Sequence, residues 1–218
     1  MEVNIIDGRN THEFSLNPKI LVDVYRSTST MPVMLRNNAS YIIPIGTVSE
    51  AKELKKKHSD YILAGERYGF KVPGFDIGNS PYEASQIDFK GKIVIFTSTN
   101  GTKVLQKIKD SERIFISSFV NIDSTVKTVR DLNLKNIDIV TSGRPDGVAD
   151  EDIFFAQAVK GLLLTDDDKV SDYIMKTREG KGTKRLSIIG GSKDIEIALT
   201  RNIADFSVIY RDGKIEKY

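Results

Sequence analysis

The chain contains no cysteine, which excludes disulfides, thiolate nucleophiles and thiolate metal sites together. It has only two histidines, His12 and His58, far apart and in polar surroundings. A zinc hydrolase site is therefore not expected, and both read as surface residues. No apolar run approaches the roughly 20 residues that span a bilayer. Met1 to Asn10 also lacks the basic start and apolar stretch of a signal peptide. Without leader or disulfides, the expected location is the cytoplasm. A dominant charge sign is missing too. The formal net charge of +2 leaves no field that would draw nucleic acid or a membrane surface as partner. Basic clusters do occur at Lys55–Lys57 and Lys181–Arg185. The first closes a helical pattern, where lysines complement the helix dipole. Walker, Gly-x-Gly-x-x-Gly, Cys-x5-Arg and Arg-His-Gly patterns are all absent.

What is present suits one domain over residues 1–218, with room for two lobes: 39% of the residues are hydrophobic, enough for an ordinary core. Short β-branched runs at Ile20–Val22, Ile42–Ile43, Tyr61–Leu63, Ile93–Phe96, Ile114–Ile116 and Ile137–Val140 read as buried strands. Helical patterns at Glu50–Lys57, Thr102–Lys109, Asp123–Leu132 and Asp150–Leu164 alternate with them. This alternation predicts an α/β sandwich with a largely parallel sheet. Further on, Asp168–Lys176 and Lys193–Asn202 read as helices, Phe206–Tyr210 as a last strand, and Gly180–Thr183 as a flexible loop.

Chemistry gathers after the strands. Asp23 and Arg26-Ser27-Thr28-Ser29-Thr30 follow one, and Gly65-Glu66-Arg67 another. Thr97-Ser98-Thr99-Asn100-Gly101-Thr102, Ser117-Ser118 and Thr141-Ser142-Gly143-Arg144 follow three more. In a parallel sheet these ends share one edge, where open α/β folds bind ligands. The turn from Thr97 to Thr102 opens a helix, so its N–H groups either bind an anion or simply cap that helix. The carboxylates Asp23, Glu66, Asp76, Asp150, Glu151 and Asp152 suit magnesium, which takes oxygen ligands. Asp150–Asp152 and Asp166–Asp168 also read as acidic helix starts that complement a dipole. The long loop from Gly65 to Pro81 carries Asp76 and Asn79 among glycines and apolar anchors, a length usually reserved for function.

Together these segments resemble the 2-phosphosulfolactate phosphatase family. The resemblance rests on Val22-Asp23-Val24-Tyr25-Arg26-Ser27-Thr28-Ser29-Thr30, Ala64-Gly65-Glu66-Arg67 and Gly74-Phe75-Asp76-Ile77-Gly78-Asn79-Ser80-Pro81. It continues through Thr97 to Thr102, Ser118-Phe119-Val120-Asn121 and Glu151-Asp152, covering about Leu21 to Asp152. The resemblance implies a three-layer α/β/α sandwich with a largely parallel or mixed sheet, and a magnesium-dependent hydrolase that releases phosphate from 2-phospho-3-sulfolactate, in coenzyme M biosynthesis, or from a similar small anionic phosphoester. It implies Asp23, Glu66 and Asp76 as catalytic residues, and Asp23, Glu66, Glu151 and Asp152 as metal ligands. Arg26, Ser27, Thr28, Arg67, Asn79, Ser98, Thr99, Asn100, Gly101, Thr102, Asn121, Gly143 and Arg144 would hold substrate. Tyr25 stands where a haloacid-dehalogenase-type phosphatase has its second aspartate, which favours attack by water over a covalent phosphoenzyme. A non-catalytic anion binder on the same fold is the alternative, and a homo-oligomer stays open.

Overall fold

The computed structural model describes every residue except 146 and 166, so Asp166 of the expected acidic helix start lies outside the described residues. The strands are β1 (Glu2–Asp7), β2 (Lys19–Val22), β3 (Tyr41–Pro44), β4 (Ile62–Arg67), β5 (Phe70–Lys71), β6 (Ile93–Thr97), β7 (Ile114–Ile116), β8 (Asn136–Thr141), β9 (Val208–Arg211) and β10 (Lys214–Lys217). The helices are α1 (Ser27–Arg36), α2 (Val48–Lys57), α3 (Pro81–Ser85), α4 (Gly101–Ile108), α5 (Ile122–Asp131), α6 (Asp150–Thr165), α7 (Val170–Glu179), α8 (Lys181–Ile188) and α9 (Ser192–Ala198). The fold is an α/β sandwich on one mixed sheet, ordered β1-β8-β2-β7-β9-β10-β3-β6-β4-β5.

The sheet differs from the expected single carboxyl edge. Strands β1, β8, β2 and β7 form one parallel block, and β3, β6 and β4 form another. Between them lies the antiparallel hairpin β9–β10, paired antiparallel to β7 and to β3, so the second block runs against the first. Twist reconciles the two. At roughly 20–25° per strand pair, the five pairings from β2 to β6 turn the second block through about 100° or more. The carboxyl ends of both blocks then meet at one place, which the hydrogen bond from Gly101 N, just past β6, to Asp23 Oδ2, just past β2, documents at 3.0 Å.

Helix α1 occupies the middle of the molecule. Its residues Ser27 to Leu35 are all buried, and it packs against α3, α4 and α9. Met31, Met34 and Leu35 join Ile42, Ala64, Phe96 and Val104 in one apolar cluster. A second cluster seals α5 and α6 against β1, β2 and β8 through Val22, Val126, Ile139, Phe155 and Val159. Burial on this scale, at roughly 25 cal/mol per Å² of apolar surface, is what holds such a twisted sheet together. Both histidines are exposed, His58 stacking on Tyr61. Among the described residues no helix is long and apolar enough to cross a membrane.

The region 180–183, expected as a flexible loop, is instead the start of α8. Its glycines serve close packing: a Cβ on Gly182 would lie 2.2 Å from Glu151 Oε2. Strands β1 and β10, not anticipated from the sequence, complete one sheet edge and the inserted hairpin.

Candidate active site

The strand ends surround a cavity of about 320 Å³ lined by Asp23, Tyr25, Arg26, Glu66, Asn79, Thr99, Asn100, Arg144 and Arg185, with Tyr68, Gly69 and Pro145 at its wall. Asp23 is its best-positioned acid. Oδ2 accepts from Ser27 Oγ at 2.7 Å and from Gly101 N at 3.0 Å. Thr28 serves the same loop by accepting Asp23 N on its hydroxyl, at 3.0 Å. Among the described residues nothing donates to Oδ1. Burial pushes the Asp23 carboxyl up to about 6, helped by the negative charge of Glu66 and opposed by Ser27, Gly101 and Arg26.

The turn from Thr97 to Thr102 turns out to bind anions, but they are the protein's own. Thr99 N and Oγ1 donate to the Glu66 carboxylate, at 2.5 and 2.9 Å, and Gly101 N donates to Asp23. Ser98 and Thr102 cap each other, Thr102 N donating to Ser98 Oγ and Ser98 N to Thr102 Oγ1, both at 3.0 Å. A turn expected to cradle phosphate therefore orients two carboxylates, as the positive end of a helix favours. Gly69 N adds a third donor to Glu66, at 2.8 Å.

Behind this pair sit two more buried acids. Asp152 accepts Val24 N at 2.9 Å and Gly143 N at 3.3 Å, which ties the loop after β2 to the loop after β8. Burial, with Asp23 and Glu151 nearby, holds its pKa well above the usual carboxylate range. Glu151 accepts from Arg144 Nη2 at 2.9 Å, and burial raises its pKa against the pull of that guanidinium. Arg26 is held by Asp194 Oδ2 at 2.8 Å and by the Gly69 carbonyl at 2.6 Å. Asn79 is 4% exposed; its Nδ2 reaches Ser27 Oγ at 3.4 Å while its Oδ1 has no partner. Buried acceptors without donors are rare and mark places where a ligand atom belongs.

Several residues implied by the resemblance lie elsewhere. Asp76 is half exposed; it accepts Leu63 N at 2.8 Å and pairs with Lys55 at 3.5 Å, because the loop folds back along β4 and leaves it short of the cavity. Arg67 follows Glu66 in an extended strand and so points away from it, donating to Gly46 O and Thr97 Oγ1. Asn121 is spent on the backbone, accepting Ser118 N and donating to Ile116 O. In the other direction, Tyr25, Arg185 and Asp194 emerge only from the fold. The basic run ending at Arg185 was the one signal available for that residue. The Tyr25 hydroxyl pairs with Thr183 Oγ1 at 2.8 Å, and burial pushes its pKa up, so it holds its proton at neutral pH.

Among the described residues no three acidic or histidine side chains converge into a ready-made metal site. The donor set nevertheless fits a hard cation held by one or two carboxylates, with water and substrate oxygens completing the shell. Both Asp23 and Asn79 line one cavity; Asn79 Oδ1 is buried without a partner, and among the described residues the donors to Asp23 all reach Oδ2. The four buried acids Asp23, Glu66, Glu151 and Asp152 face Arg26 and Arg144, which are themselves bound to Asp194 and Glu151. Such a cluster carries surplus negative charge and gains from a bound cation.

Comparison with known proteins gives a consistent result. The family described as 2-phosphosulpholactate phosphatase matches residues 5–213, well beyond the Leu21 to Asp152 stretch that carried the resemblance. A protein of Thermoplasma acidophilum named probable 2-phosphosulfolactate phosphatase is 41% identical, over 98% of this chain and 94% of its own. One of the same name from Thermoplasma volcanium is 39% identical, over 98% of both chains. A third, from Clostridium beijerinckii, is 31% identical over 90% of both.

Proposed function

Because the chain belongs to the 2-phosphosulfolactate phosphatase family, whose members are phosphoric monoester hydrolases, we propose that it hydrolyses 2-phospho-3-sulfolactate to 3-sulfolactate and phosphate with magnesium, a step of coenzyme M biosynthesis. One observation carries the reading. Asp23, with one carboxylate oxygen that accepts no hydrogen bond among the described residues, lines a cavity whose other walls hold Arg26, Arg144 and Arg185.

In the reaction the oxygen of water bonds to phosphorus and the bond from phosphorus to the ester oxygen breaks. The ester oxygen leaves with a proton as the hydroxyl of the product. Charge on the phosphoryl oxygens is the main barrier, and guanidiniums fixed in advance lower it. Asp194 and Glu151 do that fixing for Arg26 and Arg144, so neither fork reorganises when substrate arrives. Asp23, with Glu66 beside it, is the acid that would hold magnesium, whose contribution when bound is to neutralise phosphoryl charge and activate water. Asn79 Oδ1 offers an acceptor that can orient the attacking water. A covalent aspartyl phosphate needs a neighbouring acid–base group to be formed and cleared. Tyr25, at the position such a group would take, is engaged with Thr183 and keeps its proton.

The test is phosphate release from 2-phospho-3-sulfolactate, with magnesium and with excess EDTA, beside a panel of phosphorylated hydroxy acids. Metal-dependent turnover with this substrate preferred is the expected result. A folded, magnesium-loaded protein that prefers another phosphoester would overturn the substrate, and one inert to the whole panel would overturn the activity.

A further inference from the structure

A second depression of about 250 Å³ adjoins the main cavity, lined by Arg9, Asn10, Asn100, Lys103, Val104 and Lys107. Asn100 belongs to both walls. Arg9 bridges them a second time, because its stem packs over Gly143, the neighbour of Arg144: a Cβ on Gly143 would lie 3.6 Å from the Arg9 Cβ. The chemistry of the two depressions differs. In the main cavity Arg26 and Arg144 each face a carboxylate. In the second, no Asp or Glu among the described residues lines the wall. Among the described residues the Arg9 guanidinium donates only to the neutral Asn100 Oδ1, at 3.1 Å. The nearby Asp7 carboxylate is taken up by the backbone N–H groups of Arg9 and Asn10 and by the Asn10 side chain. Lys107 is spent on the carbonyls of Gly8, Arg9 and Thr11 and thereby holds the loop in place. Lys103 makes no hydrogen bond or ion pair among the described residues, and α4 places it one turn from Asn100.

Two cations without a counter-charge among the described residues, beside a phosphoester cavity, make a receptor for a second anion. We infer that Arg9 and Lys103 bind the distal sulfonate or carboxylate of the substrate while its phosphoryl group lies against Asp23, and so select phosphoesters that bear a second strong anion. The inference rests on the phosphoester reading of the main cavity. Arginine suits the task, since its planar fork takes two oxygens of a sulfonate or carboxylate at once. Asn100, which holds that fork in the free protein, is the group it would exchange for the anion.

The experiment uses Arg9→Ala, Lys103→Ala and the double variant, with two readouts. Calorimetry measures binding of 3-sulfolactate, which carries no phosphate. Kinetics compare 2-phospho-3-sulfolactate with glycerol 2-phosphate, which lacks a second anion. The double variant should bind sulfolactate about tenfold more weakly or worse, the size expected for a lost charged hydrogen bond. Its preference for phosphosulfolactate over glycerol 2-phosphate should fall by a similar factor, chiefly through KM, and the loss should shrink in high salt. Equal sulfolactate affinity in wild type and variant overturns the inference, as does an undiminished preference. Failure of the wild type to bind sulfolactate also overturns it. Wild-type protein that binds sulfolactate through Arg9 yet releases no phosphate would support the subsite and refute the phosphatase reading, so the two fail separately. Lys103 is exposed, so its variant separates loss of binding from loss of folding.

Discussion

Asp23 has a defined geometry because Gly101 leaves room for it. A Cβ at position 101 would lie 2.7 Å from Asp23 Oδ2 and 2.9 Å from both Cβ and Oγ of Ser27, closer than such atoms approach. The same residue supplies the N–H that fixes Oδ2. Gly101→Ala should therefore displace the carboxylate and lower kcat/KM by about 10²-fold, the cost typical of a misplaced reacting group. Its overpacking should cost roughly 1–3 kcal/mol in urea unfolding. Near-normal turnover in that variant would show that Asp23 need not sit where it does. The spacing of Thr97 to Thr102 left an anion-binding turn and a plain helix cap both open, and which anion it binds was beyond the sequence. The donors are local, but their acceptors, Asp23 and Glu66, come from residues tens of positions away. Asp76 misleads for the opposite reason, since its motif is distinctive while the loop carrying it folds back onto Leu63 and Lys55.

At the level of elements, the buried acids come from the end of β2, the end of β4 and the first turn of α6. Each was visible in the sequence as a strand end or helix start; their convergence was not. Helix α8 shows why the C-terminal third was harder to read. Its glycines signalled a loop, whereas Gly182 is small so that α8 can approach Glu151. Burial of Asp23, with Glu66 nearby, has a thermodynamic consequence. The Asp23 carboxyl, near the ordinary aspartate value of 3.8 when unfolded, is raised to about 6 by folding. The folded protein thus keeps a proton that the unfolded chain releases between those values. This destabilisation is absent below pH 3.8, grows through the interval and is complete above about pH 6, at about 3 kcal/mol. In EDTA, the stability of Asp23→Asn relative to wild type should rise by about 2 kcal/mol from pH 4 to pH 8, measured by urea unfolding. Magnesium at pH 8 should narrow that gap. A difference that stays constant with pH would mean that Asp23 is not held protonated by its surroundings.

At the level of the whole molecule, alternation of strands and helices made the α/β class legible, and short apolar runs located most of the sheet. Its order was not legible. The reversal between blocks depends on β9 and β10, a hairpin at the far end of the chain that inserts between β7 and β3. β10 escapes periodicity because a single residue of Lys214–Lys217, Ile215, is buried. The near-zero net charge likewise conceals a division that only the fold creates. An acidic group of buried carboxylates lies at the main cavity, and Arg9 and Lys103, without an acidic partner among the described residues, lie beside it.

The most direct measurement is phosphate release from 2-phospho-3-sulfolactate by Asp23→Asn beside the wild type, with saturating magnesium. The substitution keeps the shape of the side chain and relieves a buried charge, so the variant should be folded and no less stable than the wild type. It should nonetheless lose turnover by at least about 10²-fold, as removal of a charge aimed at the reacting group does. A stable Asp23→Asn protein that turned over at the wild-type rate would contradict the account, because the open oxygen of Asp23 is the feature on which the proposed chemistry depends.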